Sequence, residues 1–227
     1  MTPRICVSVL PKTVREGLSL VERAEEAGAD LVEVRLDCVK SAEGLSDLAA
    51  HGKKPKIATI KPRSLGGKFV GTEAERRQMS LGSAKSGFDY VDIELENPEL
   101  KAIVRELKSL GAKPIVSFHD CEKSLSLEEL NGVLERGIAS GAEVCKIVTT
   151  AKRVEDNLGL LSFTQAASAK AKVVCFGMGE LGKVSRLLSP LFGGFFTFAA
   201  LERGSETASG QMTIKEMRTA YELLGLK

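Results

Sequence analysis

The chain is predicted to fold as an α/β protein, a closed (β/α)8 TIM barrel covering residues 1–227 as one domain. Three observations predict it. Short β-rich runs alternate with longer helical patterns, as in βαβ units with a parallel sheet. Strand starts recur about every 20 to 30 residues. Eight such units in 227 residues favour a ring over an open doubly wound sheet.

The strand candidates are 4–9, 30–36, 56–60, 88–94, 113–118, 143–149, 172–177 and 195–199. Helical patterns fall between them at 13–27, 72–86, 98–110, 126–140 and 153–170. In the first, Val14, Leu18, Leu20, Val21 and Ala24 keep roughly a helical period. Gly28, Gly111 and Gly141 stand just past helix ends, where C-termini favour glycine. A final helix at about 213–224 follows the eighth strand and would complete the ring. No linker, low-complexity segment or second domain interrupts the pattern.

Composition narrows the function. Hydrophobic content of 43% and charged content of 27% are those of an ordinary globular protein. A net charge of +2 gives no reason to expect nucleic acid or an anionic membrane as partner. No apolar run approaches the roughly 18 residues of a membrane span. The first strand begins at once and leaves no room for a signal peptide, so a cytoplasmic location is expected. Cys6, Cys38, Cys121, Cys145 and Cys175 are scattered and odd in number, and buried free thiols are expected.

Alternation along a strand places residues two apart on one face. In 31–37, Val32, Val34 and Leu36 are apolar, while Glu33, Arg35 and Asp37 are charged. The apolar set should meet the helices and the charged set should point into the barrel mouth, where this fold keeps its catalytic groups. Asp92, Glu94 and Glu96 repeat the alternation in the fourth strand, where pairing with neighbouring cations is the favoured reading. His119 ends the fifth strand on the face of Ser117 and is a candidate proton carrier. His51 reads as a wet helix end without a role. Lys146 stands inside the apolar sixth strand. Burying an ammonium is costly, and the neutral amine is a nucleophile able to form a Schiff base with a ketone. Burial and the cations Arg35 and Arg186 are expected to depress its pKa.

Two histidines and dispersed cysteines argue against zinc. The carboxylates of the fourth strand keep a hard-cation site open as a weaker reading. The glycines of 177–182 read as a phosphate loop or simply a tight one, and the basic, glycine-rich 61–67 as an anion clamp or a solvated lid.

Together, residues 33–37, 92–96, 117–120, 145–147, 182–187 and 210–212 resemble, in order and spacing, type I 3-dehydroquinate dehydratase of the shikimate pathway and aromatic amino-acid biosynthesis. The resemblance covers nearly the whole chain. It implies a (β/α)8 barrel, typically a homodimer, that uses no metal or organic cofactor. It implies syn elimination of water from 3-dehydroquinate to give 3-dehydroshikimate. Lys146 matches the Schiff-base lysine and His119 the general base. Ser8, Glu33, Arg35, Lys61, Arg186, Thr207 and Gln211 match substrate-binding positions. The chain departs from the family at two of its positions. Leu65 stands where a glutamate usually orients the histidine, and Lys61 where an arginine is usual, with Arg63 able to replace it if the loop shifts. The final loop also has Ser209 in place of a proline. A class I aldolase or transaldolase would share the lysine, a phosphate-binding barrel would use the last loops without covalent chemistry, and a scaffold barrel would use neither.

Overall fold

The computed structural model describes residues 2–39, 41 and 43–226. Its strands are β1 (Ile5–Val9), β2 (Leu31–Arg35), β3 (Lys56–Thr59), β4 (Tyr90–Glu94), β5 (Lys113–His119), β6 (Val144–Thr150), β7 (Val173–Met178) and β8 (Thr197–Ala200). The helices are α1 (Val14–Glu26), α2 (Leu45–Ala50), α3 (Glu73–Lys85), α4 (Leu100–Ser109), α5 (Leu127–Ala139), α6 (Asp156–Ser168), α7 (Lys183–Leu188) and α8 (Ile214–Leu223). All strand pairs are parallel, in the order β7-β6-β5-β4-β3-β2-β1-β8. The ring is nearly closed. Across the remaining seam the Phe195 N–H donates to the Val173 carbonyl at 2.7 Å. The Phe176 and Phe198 rings meet edge-on there, 6.1 Å between centroids.

Local sequence explains the helix ends. Thr72, Ser126 and Thr213 each accept from the backbone three residues on, and Glu75, Glu129 and Glu216 return the bond. At the other ends Gly28, Gly111 and Gly141 take φ of +91°, +85° and +88°, which only glycine adopts without strain.

The period of two sorts each strand as expected. Val7, Val32, Val34, Ala58, Val91, Ile93, Val116, Ile147 and Cys175 pack outward against the helices. Cys6, Leu31, Ile57, Tyr90, Ile115, Val144 and Phe196 pack inward as an apolar floor. Burial of this kind, worth roughly 25 cal/mol per Å² of apolar surface, holds the barrel together. The next inward positions are polar on six strands, Ser8, Glu33, Thr59, Asp92, Ser117 and Lys146, all buried, while β7 and β8 place Phe176 and Phe198 there. The floor seals the barrel below, so the polar layer opens only toward the C-terminal ends of the strands.

Several details differ from the sequence reading, among them a fourth strand that begins at Tyr90 instead of residue 88. β2 stops at Arg35, and Asp37 lies in a 3-10 turn, Leu36–Cys38. β8 begins only at Thr197. Cys6, Cys145 and Cys175 are buried free thiols as expected, but Cys38 is half-buried and Cys121 is exposed in the loop after β5.

Candidate active site

A cavity of about 300 Å³ opens at the C-terminal ends of the strands. Lys146 of β6 reaches into it from below. Its Nζ donates to Asp92 Oδ2 at 2.8 Å and to Glu33 Oε1 at 3.5 Å, and lies 4.5 Å above the centre of the Phe198 ring. Glu33 and Asp92 are themselves held. Thr59 donates to Glu33 at 2.9 Å, Ser8 donates to its other oxygen, and Ser117 donates to Asp92 Oδ1 at 2.6 Å. The lysine thus sits in a fixed socket of carboxylates, each satisfied by a hydroxyl from a neighbouring strand.

This socket overturns the expected depression of the Lys146 pKa. Burial does push it down, but Asp92 and Glu33 outweigh burial and leave it raised above 10.5. Arg35 is not free to act on it, because its guanidinium is spent on Asp37 through two bonds of 2.7 and 2.8 Å. The reciprocal effect holds the Asp92 carboxyl well below its ordinary range, since Lys146 and Lys61 overcome the cost of its burial. The favoured pairing reading of the fourth strand is therefore met at Asp92 and Glu94. Glu94 pairs with Arg76 of α3 and lies 3.6 Å from Lys61. Glu96 is exposed, 3.0 Å from Arg136.

His119 stands on the cavity wall at the end of β5. Its pKa is lowered well below 6.5, first by burial and then by the charges of Lys61 and Lys146. The imidazole is therefore uncharged at neutral pH. The sign is definite: a histidine with a lowered pKa stays a base as the medium turns mildly acidic. A titration of the His119 ring is expected to fall below the ordinary histidine value, and one centred above 6.5 would contradict this placement.

Arg186 of α7 is 1% exposed and lines the same cavity. No carboxylate pairs with it among the described residues. Its Nε has no partner, one terminal nitrogen donates to the Ser209 carbonyl at 3.4 Å, and its guanidinium lies 4.2 Å over Phe176. Burial alone lowers its pKa to about 9, so it remains a cation at neutral pH. An unpaired buried fork of this kind suits a ligand carboxylate.

The remaining residues expected in the site fall into two groups. Glu33, Arg35, Lys61, Thr207 and Gln211 line the cavity. Ser8 does not. It lies beneath, bonded to Glu33 and accepting from Thr207 at 3.0 Å, so it supports the wall instead of forming it. Gln211 folds back onto Thr207, accepting from its N–H at 2.8 Å. Lys61, not Arg63, occupies the basic position, since Arg63 is exposed outside the cavity. The glycines of 177–182 serve close packing. A Cβ on Gly182 would come within 2.5 Å of the Gly177 backbone, and one on Gly210 within 2.2 Å of the Gly179 carbonyl oxygen. The loops after β7 and β8 are thereby pressed together beside Arg186.

Sequence reasoning missed the contacts of Phe176, Phe198, Thr59 and Arg76. The inward alternation of β3, β7 and β8 carried a signal for the first three. Arg76 had only its helical spacing from Glu73, which it meets at 2.7 Å.

Comparison with known proteins decides the family. Residues 5–227 match the model of type I 3-dehydroquinase. The chain belongs to that family. It is 35% identical to 3-dehydroquinate dehydratase of Coxiella burnetii, with 97% of this chain and 93% of that protein covered. It is 37% identical to a bifunctional 3-dehydroquinate dehydratase/shikimate dehydrogenase of Arabidopsis thaliana, covering 96% of this chain and 36% of the plant protein's length. The solved type I enzyme of Clostridium difficile, with covalent modified comenic acid, superposes with a TM-score of 0.89 at 25% identity, over 98% of this chain and 92% of that one. The relatives are hydro-lyases of the shikimate pathway, and the barrel described above is their fold. No described helix is long and apolar enough to cross a membrane.

Proposed function

We propose that the protein dehydrates 3-dehydroquinate through an imine on Lys146, with His119 carrying the proton. The observation that supports it most is the socket. One lysine is fixed at the base of the cavity, with an uncharged histidine one strand away and, lining the same cavity, an arginine with no carboxylate partner among the described residues.

The Lys146 amine adds to the C3 carbonyl, and loss of water leaves a protonated imine. His119 takes the C2 proton, and the C–H electrons flow to the imine nitrogen to form an enamine. The enamine expels the C1 hydroxyl, which leaves as water with the proton from His119. Water then hydrolyses the imine, releasing 3-dehydroshikimate and the lysine. Arg186 holds the substrate carboxylate, Glu33 and Arg35 meet its hydroxyls, and Lys61, Thr207 and Gln211 line the remaining wall. The reaction needs no metal or organic cofactor.

The ion pair with Asp92 makes the free lysine a poor nucleophile until its proton departs. Because the Asp92 pKa is itself held low, that proton must be lost to the medium before the amine can add. Imine formation should therefore accelerate with rising pH across the neutral range. A rate already flat between pH 6 and 8 would show an amine that is free at neutrality, against the raised pKa.

Arg186→Met separates binding from stability. Losing a charge-assisted contact of about 1.5–3 kcal/mol should raise KM roughly ten- to a hundredfold. Removing an unpaired buried cation should leave Tm unchanged or raised. An unaltered KM would take the carboxylate away from Arg186.

The enzyme is further read as a cytoplasmic homodimer. Exposed Val154, Leu158, Val184 and Phe192 on and beside α6 and α7 offer apolar surface for a second copy. A monomer mass in sedimentation equilibrium at micromolar concentration would refute the dimer.

A further inference from the structure

We propose that Lys61 is a positioning residue that acts through His119, orienting its ring and keeping it uncharged in the free enzyme. The consequence for catalysis rests on the dehydratase reading. The contact itself does not.

The Lys61 Nζ lies 3.1 Å from His119 Nδ1 and 3.5 Å from Nε2. No carboxylate reaches either ring nitrogen among the described residues. Leu65, where the family resemblance led one to expect an orienting glutamate, lines the same cavity but has no polar atom to offer. The lysine is itself fixed. It is buried, 3.6 Å from Glu94, whose other oxygen is held by Arg76. Its carbonyl accepts from Phe69 N–H at 3.2 Å, and Gly67 packs so closely that an added Cβ would stand 2.0 Å from that carbonyl oxygen. The loop is anchored further on, where Lys68 N–H donates to Asp37 at 2.8 Å. Asp37 in turn grips Arg35.

A cation against an imidazole does the opposite of a carboxylate. It tolerates the neutral ring and repels the charged one. The proton taken from substrate is then held weakly and given up readily to the departing hydroxyl. Burial lowers the Lys61 pKa as well, against the pull of Asp92 and Glu94, so the two groups resist being charged together. The other charges facing His119 are Lys146 from β6, Asp92 from β4 and Arg35 from β2. Lys61 touches the ring itself, at 3.1 Å, and is the strongest charge effect on it.

The chain has two histidines, and His51, at the end of α2, lies outside the cavity. It is a built-in control for a titration of 15N-labelled histidine by NMR, with no substrate present. In wild type, His119 should stay uncharged as the pH falls through the ordinary histidine range near 6.5. In Lys61→Met it should titrate at higher pH. Lys61→Gln, which keeps a polar head near Glu94, should show the same shift and guards against a folding defect in the first variant. With 3-dehydroquinate, the Met variant should lose about a hundredfold in kcat, the usual scale for a misplaced catalytic group. Its acid limb should move up, and Lys61→Arg should restore both. A His119 titration unchanged in both uncharged variants, or a loss confined to KM, would overturn the proposal. Absence of turnover by wild type with the NMR shift intact would overturn the dehydratase reading instead.

Discussion

Lys146→Ala should abolish dehydration of 3-dehydroquinate, with a loss on the order of 10⁴-fold or more, as when a covalent nucleophile is removed. It should also destabilise the fold. Asp92 has a side chain fully shielded from solvent, and Glu33 is buried beside it. Without the ammonium each is a buried carboxylate facing another, and breaking a buried pair typically costs about 3–5 kcal/mol. The pH dependence distinguishes this cause. In wild type the depressed Asp92 pKa contributes stability that is fully present above the unfolded-state pKa and is lost only as the pH falls through the folded one. In the variant the folded carboxyl titrates higher, so the stability deficit should be largest at neutral pH and shrink in acid. Urea unfolding at several pH values reads this directly. Turnover near the wild-type rate would eliminate covalent catalysis at Lys146.

His119→Ala should lower kcat by about 10²–10⁴, the usual contribution of a general base, with a smaller effect on binding. Its stability should change little, because the ring stands at the cavity wall and leaves no unpaired carboxylate behind. Lys146 would keep its socket, so a slow imine should still be trapped. Stopped-flow kinetics with C2-deuterated substrate would sharpen the result, since wild type should show an isotope effect on proton abstraction. A variant with unchanged kcat would remove His119 from proton transfer.

Much of this was legible in the sequence because barrel strands obey a period of two. Once Val32 and Val34 were assigned to the helix side, Glu33 and Arg35 had to face inward, and the same parity carried His119 and Lys146 into one cavity and Asp92 against the lysine. What parity could not supply was partnership. Lys146 stands closest to Asp92, two strands away across β5, and nothing in either local segment says that this carboxylate will outweigh the cost of burying the amine. The expected depression of the lysine pKa failed for that reason. Arg35 failed as a perturbing charge because the chain turns after β2 and brings Asp37 back upon it. Ser8 has the correct parity, but its depth in the barrel is set by the register with Glu33 and by Thr207 from the far end of the chain. The lysine–histidine contact was equally invisible, since it depends on how the loop after β3 is pinned by Gly67 and Asp37.

The most direct test is borohydride reduction of the wild-type protein with 3-dehydroquinate, followed by intact mass and peptide mapping. Lys61 and Lys146 both line the cavity, and Lys61 is the one whose pKa is lowered. The expected result is a single adduct on Lys146, accompanied by the near-ultraviolet absorbance of the enone product. An adduct on Lys61, or product formed with no lysine modified, would contradict the account.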